Sequence, residues 1–163
     1  MTSLRALEPE DLELVYRIEN EPEFWRFGAS TVPYSRYALR QYIASSQNDI
    51  FADGQVRLVI ECDGTAIGFA DLTNFDAIHL RAEIGLAILP EYQGKHIGRE
   101  AVELLCDYAA KLHLHQIYAI IATTNEPATR LFRSLAFEPS ATLTDWLRSD
   151  EDYVDAIVWQ KLV

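Results

Sequence analysis

A short stretch of the sequence, EYQGKHIGRE (residues 91–100), has the residue types of an anion-binding loop. It follows Pro90 and leads directly into a segment with helical spacing. The first amides of a helix point outward without intrahelical partners, and the helix dipole adds partial positive charge there. Gly94 and Gly98 allow a ligand to approach the backbone closely, and Lys95 adds a formal charge. The loop therefore predicts a site for phosphate or a similar anion.

Neither of the two common phosphate fingerprints is present in this loop. A P-loop would end in Gly-Lys-Ser/Thr, and a dinucleotide-binding fold would carry G-x-G-x-x-G. An ordinary helix entry without a ligand would have a similar sequence. The residues of the loop alone leave both interpretations open.

The length, composition and net charge of the chain favour a single globular domain and argue against several other classes of protein. The chain has 163 residues, of which 49% are apolar, and contains no repeat or polar linker, which predicts a single domain over residues 1–163. The net charge of −11 argues against nucleic acid as a partner. No apolar run approaches the roughly 20 residues that cross a membrane. We expect no metal site, because the spacing of a metal-binding set is absent from Cys62, Cys106, His113 and His115. We also expect both cysteines to be reduced thiols and the protein to be cytoplasmic.

Hydrophobic periodicity predicts eleven elements in the order β-α-α-β-β-β-α-β-α-β-β. The strands are expected at 3–7, 56–62, 65–73, 78–89, 116–122, 137–147 and 153–162, with turns at 63–64 and 74–76. The helices are expected at about 8–20, 35–47, 97–112 and from Asn125 onward. This order predicts a mixed α/β (α+β) fold with a central, mostly antiparallel sheet flanked by about four helices.

Two segments, EIGLAILPEYQGKHIG (83–98) and NEPATRLFRSLAFE (125–138), resemble the GNAT family of acetyl-coenzyme A-dependent N-acetyltransferases. The resemblance covers essentially the whole chain and is closest to the branch of spermidine and ribosomal-protein N-terminal acetyltransferases. The family's pyrophosphate motif, Gln/Arg-x-x-Gly-x-Gly/Ala, is matched at its first and last positions by Gln93 and Gly98. His96 stands where glycine is usual. If His96 has ordinary helical torsions, glycine is not required there.

The resemblance implies the GNAT fold and acetyl-coenzyme A as cosubstrate. Its pyrophosphate would be held by the backbone amides of the loop, which are those of Gln93, Gly94, Lys95, His96, Ile97 and Gly98. Ala87 and Ile88 would pair with the pantetheine arm as an additional strand. Asn125 would reach this arm from the other side.

Acetyl transfer needs a neutral amine and a polarised thioester carbonyl, which a strand amide near Ile88 would polarise. Glu83 is the candidate base, acting through water; its alternative is a structural carboxylate paired with Arg81 or with the backbone. Phe132 occupies the position at which many family members have a tyrosine that acts as the acid. Phenylalanine cannot donate a proton, and Phe132 has the character of an ordinary core aromatic. The hydroxyl groups of Ser134, Tyr118 and Tyr92 are possible replacements, and the sequence does not select among them.

The acceptor amine is expected to contact the aromatic segment 21–34, with Trp25 and Tyr34 as candidate binding residues, and the carboxylates of Asp71 and Glu83. Local packing and structural roles are the alternatives for these residues. The segment lacks the paired glutamates that spermidine acetyltransferases tend to have before its Pro-Tyr, so the amine is left open.

The predicted function is therefore transfer of an acetyl group to a primary amine, on a polyamine such as spermidine, another small amine or a protein N-terminus. A homo-oligomer is possible. The alternative is a catalytically weak or inactive acyl-coenzyme A-binding module that acts as a sensor or partner.

Overall fold

A seven-stranded mixed sheet forms the centre of the protein in the computed structural model, which describes residues 1–22 and 33–163. The strands are β1 (Thr2–Ala6), β2 (Val56–Cys62), β3 (Thr65–Asp76), β4 (Arg81–Ile88), β5 (Gln116–Ala122), β6 (Glu138–Ser149) and β7 (Asp152–Leu162). Their spatial order is β1-β2-β3-β4-β5-β7-β6. β4 and β5 run parallel, whereas the other neighbouring pairs are antiparallel. The predicted mixed, mostly antiparallel sheet is confirmed.

Five α-helices accompany the sheet in the described part of the chain: α1 (Leu12–Asn20), α2 (Arg36–Ser45), α3 (Ile50–Asp53), α4 (Ile97–Lys111) and α5 (Glu126–Ser134). Short 3-10 turns cover Pro9–Asp11 and Pro90–Tyr92. The predicted cap of α2 is present, because the Ser35 hydroxyl accepts a hydrogen bond from the Ala38 amide at 3.1 Å. Within these residues, no helix is long and apolar enough to span a membrane.

The two faces of the sheet bury separate apolar clusters. α4 and α5 lie over the larger cluster, which includes Leu105, Ile117, Phe137 and Trp159. The smaller cluster joins α1 and α2 to alternate residues of the first strands, including Phe69 of β3. This alternation follows from the two-residue period of a strand, which sends successive side chains to opposite faces.

The predicted turn at 74–76 was wrong, since β3 continues to Asp76 and the turn occupies residues 77–80. The Asp76 carboxylate accepts hydrogen bonds from the amides of Ile78 and His79 at 3.0 and 2.9 Å, and this bonding shapes the turn. Consequently β4 begins at Arg81 and not at residue 78.

The one-turn helix α3 was not predicted. Its ends carry ordinary signals that were available in the sequence. The Asp49 side chain accepts a hydrogen bond from the Phe51 amide at 2.9 Å, and Gly54 ends the turn with φ +69°. Four residues are too few to produce a recognisable helical period.

Candidate active site

β4 and β5 separate after a short stretch of pairing. Their register covers three pairs, Arg81 with Gln116, Ala82 with Ile117 and Glu83 with Tyr118. Beyond Glu83, β4 continues to Ile88 in register with β3 only. The two parallel strands therefore form a wedge-shaped opening with Glu83 and Tyr118 at its apex.

The main chain of β4 faces this opening at alternate residues. The Leu89 amide donates a hydrogen bond to the Ile67 carbonyl at 3.0 Å, which directs the main chain of Leu89 toward β3. The main-chain groups of successive strand residues point toward opposite neighbouring strands, so those of Ile88 point toward β5. In agreement with this, the Gln93 side-chain amide donates to the Ile88 carbonyl at 2.8 Å from outside the sheet. The Ile88 amide is thus oriented toward the opening.

Gly68 of β3 fixes the position of this end of β4. A Cβ atom at Gly68 would lie 2.2 Å from the Ala87 carbonyl oxygen and 3.0 Å from the Ile88 Cα. A side chain at this position would force the two strands apart. Gly68 is therefore required for the close approach that places Ala87 and Ile88.

The loop after β4 has the backbone shape of an anion nest. Gly94 has φ +73° and His96 has φ +63°, so two residues with left-handed torsions, separated by Lys95, lie just before α4. The His96 carbonyl accepts the first helical hydrogen bonds, from the amides of Arg99 and Glu100 at 3.1 and 3.2 Å. The amides of Ile97 and Gly98 therefore precede the bonded turns of the helix. Successive amides converge on the N-terminus of a fifteen-residue helix.

His96 does not have ordinary helical torsions, so the condition under which glycine would not be required at this position is not met. Its φ of +63° and ψ of 0° are left-handed, a region that costs a side-chain-bearing residue about 1–2 kcal/mol. This conformation explains why glycine is usual at the equivalent position of the motif. At Gly98, by contrast, an added Cβ would meet its nearest side chains at 3.5–3.7 Å, an ordinary contact, which explains why the motif accepts alanine there.

A cleft of about 560 Å³ occupies the opening between β4 and β5. Its walls bring together residues from five elements, among them Glu83, Tyr118, Ile120, Asn125, Trp146 and Leu147. Asn125 caps α5, because its side-chain oxygen accepts a hydrogen bond from the Ala128 amide at 3.2 Å. Since the oxygen is used in this way, the side-chain nitrogen of Asn125 is the group available to a ligand.

Glu83 has a neutral partner. Asn74 of β3 donates a side-chain N–H to Glu83 Oε2 at 2.7 Å. The alternative partner Arg81 is not used, because its guanidinium group pairs with Asp76 at 2.9 Å. A carboxylate held by an amide keeps its full negative charge and can still accept a proton.

Tyr118 lies directly across the apex from Glu83. Registered residues of neighbouring strands point to the same face and are roughly 4.8 Å apart at the backbone. Burial raises the pKa of the Tyr118 hydroxyl, and the negative charge of Glu83 raises it further. The phenol therefore stays protonated at neutral pH.

Comparison with known proteins identifies this arrangement. The profile of the acetyltransferase (GNAT) domain matches residues 2–138. The chain belongs to the GNAT acetyltransferase family. The spermidine N(1)-acetyltransferase of Escherichia coli K12 is 32% identical over 155 residues, which cover 94% of this chain and 82% of that protein.

Solved structures agree with this assignment. The spermidine N-acetyltransferase of Vibrio cholerae in complex with CoA and spermine superposes with a TM-score of 0.87 at 28% identity, covering 99% of this chain and 95% of that chain. A dodecameric structure of the V. cholerae enzyme superposes with a TM-score of 0.83, also at 28% identity, covering 99% and 93%. The predicted family, its spermidine branch and acetyl-coenzyme A as the cosubstrate are confirmed. The protein is an acetyl-coenzyme A-dependent N-acetyltransferase of the GNAT fold.

Phe132 of this GNAT enzyme is buried, with 6% of its surface exposed. Its ring packs edge-to-face on Phe137 at a centroid distance of 4.9 Å. The structure thus places Phe132 on the buried face of α5, in the core, and the residue does not line the cleft of Glu83.

Asp71 does not line the cleft and is bound by a partner on β2. The Arg57 guanidinium donates to both Asp71 oxygens, at 3.0 Å from Nε to Oδ1 and 2.8 Å from Nη2 to Oδ2. Burial raises the pKa of Asp71, and the charge of Arg57 opposes that effect. The guanidinium occupies the position that a substrate ammonium group would need.

The other predicted acceptor residues are not assembled around Glu83. Tyr34 lines a separate cleft of about 280 Å³ with Glu19, Tyr42 and Arg57. The Asn20 side chain holds the Tyr34 backbone through two hydrogen bonds, accepting from its amide at 2.7 Å and donating to its carbonyl at 3.0 Å. Trp25 lies outside the described residues.

Sequence reasoning missed Asn74 and Trp146. The register of β6 and β7 breaks between Leu143 and Leu147, and the additional residues of β6 form a bulge. Within it, Asp145 has φ +49° and its amide donates to the Asp155 carboxylate at 2.9 Å. Bulges redirect side chains near active sites, and this one presents the half-exposed Trp146 to the cleft. A bulge has no simple sequence pattern, so only the unusual tryptophan on an exposed strand was available as a signal.

Proposed function

We propose that this enzyme acetylates a primary amine of a polyamine such as spermidine, in the cleft between β4 and β5. The observation that carries the proposal is the position of Glu83, which lies at the apex of the cleft with an amide as its partner. A carboxylate in that state attracts an ammonium group and can take its proton. The related enzymes of E. coli and V. cholerae are named for spermidine, which supports the same class of acceptor.

The coenzyme site fits the groups on this chain. When bound, acetyl-coenzyme A supplies an acetyl group activated as a thioester. The amides from Gln93 to Gly98 would hold its pyrophosphate, and Lys95 would add positive charge. The main-chain groups of Ile88 would bind the amide-bearing pantetheine arm along β4, with the Asn125 nitrogen on the opposite side. Ala87, whose main-chain groups face β3 by the same alternation, would lie beside the arm without bonding it through its backbone.

Two groups of the chain would act on the reacting atoms. The Ile88 amide would donate a hydrogen bond to the thioester oxygen as negative charge develops there. Glu83 would accept the proton of the amine, directly or through one water molecule. Asn74 would keep the Glu83 carboxylate turned toward the cleft through their 2.7 Å hydrogen bond.

The walls of the cleft suit a cationic alkylamine. Tyr118 and Trp146 provide aromatic surface close to Glu83, and aromatic rings attract ammonium groups while covering methylene chains. The overall charge of −11 also favours a cation over an anion. Trp25 and Tyr34 remain predicted acceptor residues. Asp71 has a structural role in this proposal because of its pairing with Arg57.

Three broader assignments belong to the same proposal. Residues 1–163 would act as one catalytic domain. The enzyme would work in the cytoplasm, where Cys62 and Cys106 stay as free thiols. It would assemble as a homo-oligomer, since a related enzyme of similar structure is dodecameric.

The test is a measurement of coenzyme A thiol release with acetyl-coenzyme A and a panel of amines. The panel contains spermidine, spermine, a diamine, a monoamine and a short peptide with a free N-terminus. We expect turnover with spermidine or spermine and a mass increase of one acetyl group on the amine. Background release with both polyamines alongside rapid turnover of the peptide would overturn the acceptor assignment. Tight coenzyme A binding without turnover of any amine would favour the sensor alternative.

A further inference from the structure

We propose that Arg17 of α1 is a positioning residue for the coenzyme. By binding Glu91, it keeps that carboxylate from pairing with Lys95, so that the Lys95 ammonium group is available to the pyrophosphate. This inference rests on the pyrophosphate position in the proposed function, at the loop of residues 93–98. It assigns a function to a helix residue that lies outside the two segments with family-like sequence.

Arg17 and Glu91 form a bidentate ion pair between α1 and the turn that precedes the loop. Arg17 Nη1 donates to Glu91 Oε1 at 2.8 Å, and Nη2 donates to Oε2 at 3.0 Å. One guanidinium group therefore holds both oxygens of the carboxylate, which is the geometry that favours arginine over lysine as a partner. Glu91 lies in the 3-10 turn Pro90–Tyr92, directly before the loop.

The packing of α1 holds Arg17 beside this turn. Ile18 is buried on the inner face of α1, in the same apolar cluster as Leu89, and Tyr92 packs against that cluster. Arg17 is on the outer face of the helix and is half exposed, as is Glu91. Because exposed ion pairs contribute little to stability, variants of this pair should fold.

Lys95 is the second cation near Glu91. Its ammonium nitrogen lies 5.3 Å from the centroid of the Tyr92 ring, and Tyr92 follows Glu91 in the chain. Hydrogen bonds from Arg17 lower the pKa of Glu91, and the charge of Lys95 lowers it further. In the described part of the chain, Lys95 has no carboxylate within ion-pair distance. Glu91 is therefore placed to bind Lys95 when Arg17 is removed.

The charge of Glu91 matters because the pyrophosphate is itself negative. An unpaired carboxylate before the loop would repel the phosphates and draw Lys95 away from them. A single contact from Arg17 prevents both effects. A guanidinium group suits this role because it stays charged at any pH at which the protein is folded.

The first experiment measures coenzyme A affinity by calorimetry, without an amine, for variants of the ion pair. Arg17→Met should weaken binding about tenfold, the loss expected for one charge-assisted contact to phosphate. Glu91→Gln should bind at least as tightly as the unaltered enzyme. The double variant with Arg17→Met and Glu91→Gln should return to within about threefold of the unaltered enzyme, because no carboxylate remains at position 91 to bind Lys95.

Two outcomes of this experiment would overturn the inference. Equal losses in the two single variants would mean that the ion pair is only a structural contact. A double variant as weak as Arg17→Met would mean that Arg17 acts without Glu91.

A second ion pair on α1 provides a matched control. Arg36 of α2 donates to the two oxygens of Glu13 at 2.8 and 3.1 Å, and Glu13 is one helical turn before Arg17. Arg36→Met removes the same charge and also leaves a carboxylate without its arginine, but that carboxylate belongs to α1 and not to the turn before the loop. Coenzyme A affinity should stay within about twofold. A tenfold loss in this variant as well would show a general effect of charge and would overturn the inference.

The second experiment tests whether Arg17 acts through Lys95. Lys95→Met alone should weaken coenzyme A binding about tenfold. Adding Arg17→Met to this variant should weaken binding by less than about threefold more, because the contact that Arg17 protects is already lost. A further tenfold loss would show that the two residues act independently and would overturn the inference.

These binding measurements separate the inference from the acceptor assignment. Turnover of spermidine with an unchanged coenzyme A affinity in Arg17→Met would reject the role of Arg17 and leave the acceptor assignment intact. The predicted pattern of affinities without turnover of any polyamine would support Arg17 and reject the acceptor.

Discussion

Two carboxylates on the same face of the sheet, Asp71 and Glu83, have opposite roles because their partners differ. Asp71 is paired with the Arg57 guanidinium group, which donates to both of its oxygens. Glu83 has one hydrogen bond, from the neutral Asn74 side chain to Oε2. Its other oxygen accepts no hydrogen bond from the described residues. Asp71 therefore shares the positive charge of Arg57 with Glu19, which pairs with the same guanidinium at 2.5 Å, whereas Glu83 has no cationic partner among the described residues.

The difference shows that position on the sheet does not by itself determine which partner a carboxylate has. Asp71 faces Gly85 across the β3–β4 ladder, and Glu83 faces Thr73 two residues away. Both were candidates for binding an ammonium group. What separates them is the residue type supplied by the neighbouring strand, an arginine on β2 for Asp71 and an asparagine on β3 for Glu83.

The largest effect is expected for Glu83→Gln, which removes the charge and the basic oxygen but preserves the shape of the side chain. The kcat/KM for the amine should fall about 10²- to 10⁴-fold, the usual contribution of a general base. Coenzyme A affinity, measured by calorimetry, should stay the same. Asp71→Asn is the matched control, and its kcat should remain within about threefold of the unaltered enzyme. A comparable loss of kcat in both variants would abolish the distinction between the two carboxylates.

The next largest effect is expected on the stability of the protein when the ion pair of Arg57 and Asp71 is broken. Their side chains are 20% and 16% exposed. Arg57→Met leaves Asp71 buried without its partner and should lower the free energy of unfolding by about 3 kcal/mol at pH 7. Burial already raises the pKa of Asp71, and losing Arg57 would raise it further. The folded variant then binds a proton more readily than the unfolded chain, so its stability deficit should shrink as the pH falls from 7 toward 4. Urea unfolding at several pH values measures this. A deficit that does not depend on pH would contradict the role given to Asp71.

A smaller effect should follow from replacing Gly68. In Gly68→Ala, the new methyl group would displace the Ala87 carbonyl, which lies 2.2 Å away, and move the end of β4. We expect a loss of about 1–3 kcal/mol in stability and weaker coenzyme A binding, measured by thermal unfolding and calorimetry. Gly85→Ala is the control, because a Cβ atom there would make only an ordinary contact, 3.6 Å from the Asp71 Cβ, and the residue has no left-handed φ. If Gly68→Ala binds coenzyme A normally, the packing of β3 on β4 does not position the site.

Removing the hydrogen bond to Glu83 should produce an effect of about tenfold. Asn74 has a left-handed φ of +50°, a conformation that glycine adopts without strain. Asn74→Gly therefore loses the donor with the backbone preserved, which should lower kcat/KM for the amine by the equivalent of about 1.5 kcal/mol. The KM for acetyl-coenzyme A should not change. Steady-state kinetics at saturating coenzyme decide the question, and an unaltered kcat/KM would show that Asn74 does not orient the base.

The smallest effect is expected at His96. In His96→Gly the left-handed conformation becomes favourable, but the unfolded chain gains freedom, so stability should change by less than about 1 kcal/mol. Because the amide is retained and the imidazole contributes only partial charge, coenzyme A affinity should change less than about tenfold. A larger loss in calorimetry would mean that the imidazole itself binds phosphate.

Much of the framework was predictable from sequence because it depends on local patterns. The apolar run of β5 matches Gln116–Ala122, and Asn125 was correctly taken as the start of α5. The loop at 93–96 and the helix that follows it were predicted from glycines and a helix start, which are also local signals. The antiparallel strands β2 and β3 were found from alternation and from the Asp63-Gly64 turn.

The details of the site were less predictable because they depend on contacts across strands. The Asn74 hydrogen bond follows from the continuation of β3 through the turn predicted at 74–76. The pairing of Asp71 with Arg57 follows from the register of β2 on β3. Left-handed torsions are uncommon for any residue with a side chain, and although histidine adopts them more often than most, its presence alone does not predict the torsion at His96.

A crystal structure with bound coenzyme A tests the central claim most directly, that the opening between β4 and β5 is the catalytic cleft. We predict that the pyrophosphate contacts the amides of 93–98, that the pantetheine arm runs along β4 and bonds the main chain of Ile88, and that the open side of the thioester faces the Glu83 end of the cleft. A pyrophosphate bound elsewhere, or a thioester whose open side faces away from Glu83, would contradict the account of the cleft as a whole.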